Sequence, residues 1–183
     1  MPLSPDGARV LVWEQASERD HRLVIVSRSE EAEATLAPLI ADTAVGRLSP
    51  DGRWIAYQPS VDGIYVSPFP NVDDGRWQIS RDRAQMPLWG PSGSELFYVS
   101  SDDRLMSVSV SVAGDDSFAP GNPEVVFESI STFGLLAHTF DISPDGKRFL
   151  MIEEAPTDET ERPRLVVVQN WAEELEHLVP RER

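Results

Sequence analysis

The chain has 183 residues, 40% of them hydrophobic and 26% charged, a formal charge of −15 and no cysteine. That balance belongs to a globular chain with a core, and it excludes disulfides, zinc–thiolate centres and cysteine nucleophiles. The acidic surface repels phosphate backbones and so argues against a nucleic-acid partner, while no apolar run approaches the ~20 residues that span a bilayer.

The first element is a turn, Leu3-Ser4-Pro5-Asp6-Gly7, followed at once by an apolar run, Val10-Leu11-Val12-Trp13. A second strand is predicted at Leu23–Val26 and an outer one around Thr35–Leu39. The same order then returns. Leu48-Ser49-Pro50-Asp51-Gly52 leads into Trp54-Ile55-Ala56-Tyr57, then Ile64-Tyr65-Val66 and an outer strand around Trp77–Ser80. Trp89-Gly90-Pro91-Ser92-Gly93 leads into Leu96-Phe97-Tyr98-Val99, then Leu105–Val110, and an outer strand at Val125–Glu128. Over Arg104–Val112, Leu105, Ser107, Ser109 and Ser111 alternate with Met106, Val108, Val110 and Val112, the period of a strand. The stretch from Gly114 to Pro123 reads as a loop insertion. Last come Ile142-Ser143-Pro144-Asp145-Gly146, Phe149–Ile152 and Leu165–Val168, closed by a short helix from Asn170 to Leu178 with Asn170 as its cap.

The turns open at Leu3, Leu48, Trp89 and Ile142, spacings of 45, 41 and 53 residues. The first two match the ~40–45-residue period of four-stranded propeller blades. In each turn Pro presets φ for the first corner and Gly supplies the positive φ of the reversal. The Asp or Ser between them can bond nearby backbone amides. The strands that follow are apolar at nearly every position, which suits sheets buried on both faces. The predicted fold is therefore all-β: a β-propeller of about four blades, near 1–43, 44–84, 85–137 and 138–183, forming a partial or open ring. An immunoglobulin-like sandwich is the alternative, but it leaves a turn recurring at blade spacing unexplained. The structural turn residues are Ser4, Pro5, Asp6, Gly7, Ser49, Pro50, Asp51, Gly52, Pro91, Gly93, Ser143, Pro144, Asp145 and Gly146.

The repeated Ser-Pro-Asp-Gly turn before an apolar strand resembles the propeller repeats of the TolB family, also called WD-like repeats. The third copy departs, with Gly90-Pro91-Ser92-Gly93. A narrower resemblance runs through Ile64–Pro70, Gly75–Ser80, Pro87–Trp89, Glu95–Ser100, Phe140–Gly146 and Val167–Trp171. These segments look like the C-terminal propeller attached to many bacterial serine/threonine protein kinases. The resemblance implies a sensor or interaction module, placed in the cytoplasm if the chain is complete and outside it if the chain is the tail of a membrane kinase. No signal peptide is visible, and no Gly-rich loop, His-Arg-Asp or Asp-Phe-Gly element of a kinase is present. Six or more blades are usual in that family, so a fragment of a longer chain is the favoured expectation.

Little in the sequence points to chemistry. Gly-x-Ser-x-Gly is absent, and His21, His138 and His177 are far apart in the chain. Asp73-Asp74, Asp102-Asp103 and Asp115-Asp116 invite a calcium site, but none has the spacing of a calcium loop. Trp13, Trp54, Trp77, Trp89 and Trp171 read as packing between blades. The expectation is a non-catalytic binding module without cofactor or metal, taking a protein or small-molecule ligand at a rim or in the central channel. Open blade edges would favour self-association. A truncated product without independent function and a propeller-type hydrolase or lyase are the alternatives.

Overall fold

A computed structural model describes residues 3–17, 20–27, 35–59, 63–113, 117–128 and 139–152. They fall within the unit Met1–Glu153. The strand at Leu165–Val168, the C-terminal helix, Trp171, His138, His177, Asp115 and Asp116 lie outside the described residues.

Among the described residues thirteen strands form four antiparallel sheets in chain order. Sheet I holds β1 (Arg9–Ser17), β2 (Asp20–Ser27) and β3 (Thr35–Ala41) in the order β1-β2-β3. Sheet II holds β4 (Thr43–Leu48), β5 (Trp54–Pro59), β6 (Tyr65–Pro68) and β7 (Trp77–Gln78), in chain order. Sheet III runs from β8 (Ala84–Trp89) through β9 (Glu95–Ser100) and β10 (Leu105–Ala113) to β11 (Ser117–Phe127). Sheet IV pairs β12 (Phe140–Ile142) with β13 (Phe149–Met151). A 3-10 turn at Val72–Asp74 is the one helical element among the described residues. No helix among them is long and apolar enough to cross a membrane.

Strand alternation explains why the apolar runs are continuous. In β5, Ile55 and Tyr57 face sheet I with Leu11, Leu23 and Ile25, while Trp54 and Ala56 face sheet III. In β9, Leu96 and Tyr98 join that second layer, and Phe97 and Val99 turn the other way to meet Phe140 and Phe149 of sheet IV. The result is three apolar layers between four successive sheets, not one layer between two. Ile55, Ile64, Leu96 and Val99 are fully buried, each contributing roughly 1.5–3 kcal/mol of transfer free energy.

The Gly114–Pro123 insertion is corrected: from Ser117 onward it is strand, with Pro120 opposite Val110 and Pro123 opposite Val108. Two prolines are tolerated because β11 is the sheet's outer edge, where a missing N–H faces no neighbour. A register shift between Val108 and Val110 absorbs the extra length. Phe118 is thereby carried into the layer between sheets II and III, its ring 5.0 Å from Trp54 and 5.4 Å from Trp77. Trp54 and Trp89 are buried, whereas Trp13 remains 39% exposed beside His21.

Candidate functional site

The predicted turns all connect the first strand of a sheet to its second, except that the first described sheet is preceded only by a bridge between Leu3 and Val10. Each closes in the same way: Gly7, Gly52, Gly93 and Gly146 donate their N–H to the carbonyls of Ser4, Ser49, Gly90 and Ser143 at 2.8–2.9 Å. Their φ angles of +69°, +71°, +73° and +70° lie in the left-handed region that favours glycine. The serine, which sequence reasoning gave no mechanical role, brackets the turn. Ser49 Oγ donates to Asp51 Oδ1 at 2.5 Å and accepts the buried Trp54 N–H at 2.9 Å. Ser4 and Ser143 repeat both bonds. Asp6 and Asp145 also accept the N–H two residues on, from Ala8 and Lys147. The Ser4 and Ser143 hydroxyls, followed by those amides, hold Asp6 and Asp145 below the ordinary aspartate range.

The turns touch one another in sequence. A Cβ on Gly52 would stand 2.9 Å from Pro5 Cδ; on Gly93, 3.6 Å from Pro50 Cδ; on Gly146, 3.9 Å from Pro91 Cδ. Each glycine thus sits against the proline of the turn before it. The four turns form a stair along one side of the sheets.

A fifth bracket went unnoticed because it lacks the proline. Ser100 Oγ donates to Asp102 Oδ1 at 2.6 Å, and Asp103 takes the positive φ of 59°. The Ser100 hydroxyl, and after it Arg104, lower the Asp102 pKa, so this carboxylate is engaged in a turn. Asp73 and Asp74 lie in the 3-10 turn. Among the described residues no three metal-ligating side chains of the His, Cys, Asp and Glu type come together.

Hydrogen bonds between sheets are found near the first strands. Trp89 Nε1 donates to the Arg47 carbonyl at 3.0 Å, joining β8 to β4. Met86 N donates to Gln58 Oε1 at 3.3 Å, and Thr139 Oγ1 reaches Met86 Sδ at 3.7 Å, linking sheets II, III and IV. Met86 is buried and has a φ of +58°, a strained value for a residue with a Cβ. Arg47, Leu88 and Asp141 occupy one equivalent position, immediately before the turn in sheets II, III and IV, opposite Ala56, Phe97 and Leu150. Burial pushes the Arg47 guanidinium below the ordinary arginine value, while the nearby Asp141 charge opposes that shift. Sequence spacing could have aligned these three positions, since each is fixed relative to its turn.

A concavity of about 360 Å³ lies between sheets I and II. Leu39, Ile40, Tyr57, Val72, Asp73 and Arg76 line it, and the Arg76 guanidinium stacks 3.8 Å from the centre of the Tyr65 ring.

No family model matches the chain, and no curated protein does. Among solved structures it is similar to a Bacteroides uniformis protein named "putative 6-phosphogluconolactonase". That likeness has a TM-score of 0.53 at 18% identity, covering 81% of this chain and 45% of the other, so the chain spans under half of that protein's length. Identity this low carries the fold alone. It also corrects one expectation: a related run of sheets serves a protein named as an enzyme, so the architecture gives no ground for excluding catalysis.

Proposed function

We propose that the chain is a TolB-like β-propeller segment that holds a small-molecule or protein ligand where the first strands of its sheets converge. The observation that carries this reading is the equivalence of Arg47, Leu88 and Asp141. Three different side chains stand at one repeat position, and the Asp141 charge of sheet IV partly offsets the downward push of burial on Arg47 of sheet II. In a radial array that position borders the axis, the usual place for a propeller ligand. The kinase-associated resemblance of Ile64–Pro70, Gly75–Ser80 and Phe140–Gly146 favours a sensor or interaction role within a longer protein. A ligand panel read by thermal shift tests the reading. Asp141→Trp, at the exposed copy of the convergent position, fills it and abolishes stabilisation by any true ligand, whereas Gln78→Trp on the exposed outer strand leaves it intact. Equal responses in both variants refute the site.

A lactone hydrolase is the second reading, favoured by the likeness to the Bacteroides protein. Its test is direct: the purified chain is assayed for ring opening of 6-phosphogluconolactone against the spontaneous rate. Enzyme-dependent turnover supports it, and a rate equal to the buffer control removes it.

A further inference from the structure

From the geometry we infer that the concavity between sheets I and II is a binding site for a free α-amino acid with an apolar side chain, its carboxylate on Arg76 and its ammonium on Asp73. The site is built on β3 and on the segment before β7, whereas Arg47, Leu88 and Asp141 belong to the first strands, so the two positions stand independently. It exists because neighbouring apolar layers end differently. Between sheets II and III, the 11-residue β11 carries Phe118 against Trp54 and Trp77 and closes the layer. β7 has only two residues, and the Val72–Asp74 turn that precedes it leaves the layer between sheets I and II open. Leu39, Ile40 and Val72, partly buried against that layer, line the opening together with buried Tyr57. Its volume of about 360 Å³ falls within the ~300–1,000 Å³ typical of small-molecule sites.

Two opposite charges line this opening and do not neutralise each other. Among the described residues Arg76 and Asp73 form no ion pair, and neither side chain makes a hydrogen bond. The Arg76 guanidinium lies instead 3.8 Å from the centre of the Tyr65 ring, which is itself stacked on Tyr57 at 6.1 Å. A guanidinium held flat on an aromatic face keeps the N–H donors at its rim unspent, in the planar fork that fits a carboxylate. Asp73, an acceptor only when ionised, complements an ammonium group. A simple oxyanion is the wrong ligand, because Asp73 opposes it locally and the net charge of −15 opposes it at range. A zwitterion carries no net charge, so it escapes that repulsion and satisfies both groups at once. The apolar walls add binding energy only if the same molecule bears a hydrocarbon side chain.

The chain's three tyrosines supply reporters in the unmodified protein, since Tyr57 and Tyr65 stand at the site and Tyr98 packs in the next layer. The full chain is titrated with L-leucine and separately with L-phenylalanine, then with the amide and the N-acetyl derivative of each, and the tyrosine ring resonances are followed by NMR. Salt is held at about 0.15 M, where long-range attraction of the cationic amides is screened. The expected result is a saturable shift of Tyr57 and Tyr65 with at least one free amino acid, while Tyr98 stays unmoved. Its amide and N-acetyl forms bind at least about tenfold more weakly. Arg76→Gln removes the preference over the amide and keeps that over the N-acetyl form, and Asp73→Asn does the reverse. Arg83→Gln, exposed and outside the concavity, changes neither. Absence of any saturable shift with both amino acids overturns the inference, as does an amide or N-acetyl form that binds as tightly as its parent, or preferences unaltered in both site variants.

Discussion

Gly52→Ala separates the two demands that the turn stair makes on its glycines. Gly7, Gly52 and Gly93 share nearly the same φ, so alanine costs each about 1–2 kcal/mol from the left-handed backbone alone. Their surroundings differ. The new methyl meets nothing within 4 Å at Gly7, an ordinary van der Waals neighbour at Gly93 (Pro50 Cδ, 3.6 Å), and Pro5 Cδ at 2.9 Å at Gly52. That last atom belongs to a ring with no rotamer to retreat into, so relief requires one turn to shift against the other. Overpacking of this kind adds roughly 1–3 kcal/mol. Gly52→Ala should therefore destabilise by about 2–5 kcal/mol, against about 1–2 for Gly93→Ala. Urea unfolding of the three variants measures the series. The double variant Pro5→Ala/Gly52→Ala should recover the excess and leave only the backbone cost. A Gly52→Ala loss no larger than that of Gly93→Ala, or no recovery in the double variant, refutes contact between successive turns.

The serine brackets predict a second contrast. Ser49→Ala strands the buried Trp54 N–H and should cost about 1–3 kcal/mol, whereas Ser143→Ala, at an exposed copy of the same turn, should cost less by thermal or urea unfolding. Acid lability follows from Asp6, Asp102 and Asp145. Their pKa values are depressed in the folded chain, so the stability they confer is present above the ordinary aspartate value, about 3.9, and is lost as pH falls through the lower folded values. Removing the Ser143 hydroxyl should move the Asp145 carboxyl midpoint upward in a carbon-13 NMR titration; an unmoved midpoint contradicts the bracket. Among the tryptophans, Trp89→Phe deletes a bond between sheets, while Trp54→Phe deletes an indole N–H that is buried without a partner. Trp89→Phe should be the more damaging in urea unfolding, by about 1 kcal/mol or more.

What was legible in the chain was whatever local chemistry dictates. Pro5, Pro50, Pro91 and Pro144 with their glycines announced the reversals. Runs such as Trp54–Tyr57 and Leu96–Val99 announced strands covered on both faces, and the Ser/Val alternation of 105–112 announced β10. The first strands were faint. Thr43–Leu48 contains Gly46 and Arg47, and Ala84–Trp89 contains Gln85 and Pro87, so neither carries a clear apolar period. Gly46 is required there because Leu23 and Ile55 close over it, a contact made at long range. β11 was hidden by Pro120, Gly121 and Pro123, which punctuate a loop in isolation but are harmless on an outer edge. Arg47 and Asp141 were passed over for a related reason. Their interest arises from a shared repeat position and, for Arg47, from partial burial, and neither shows in the residue type.

The proline-on-glycine stair also bears on how the chain unfolds. Each step joins only units adjacent in sequence, so cohesion is distributed in nearest-neighbour joints with no single keystone. Loosening one joint divides the array without dissolving the sheets on either side. Amide exchange measured under native conditions should accordingly fall into blocks that follow sheet boundaries, with the β5 and β9 amides, in sheets covered on both faces, exchanging last.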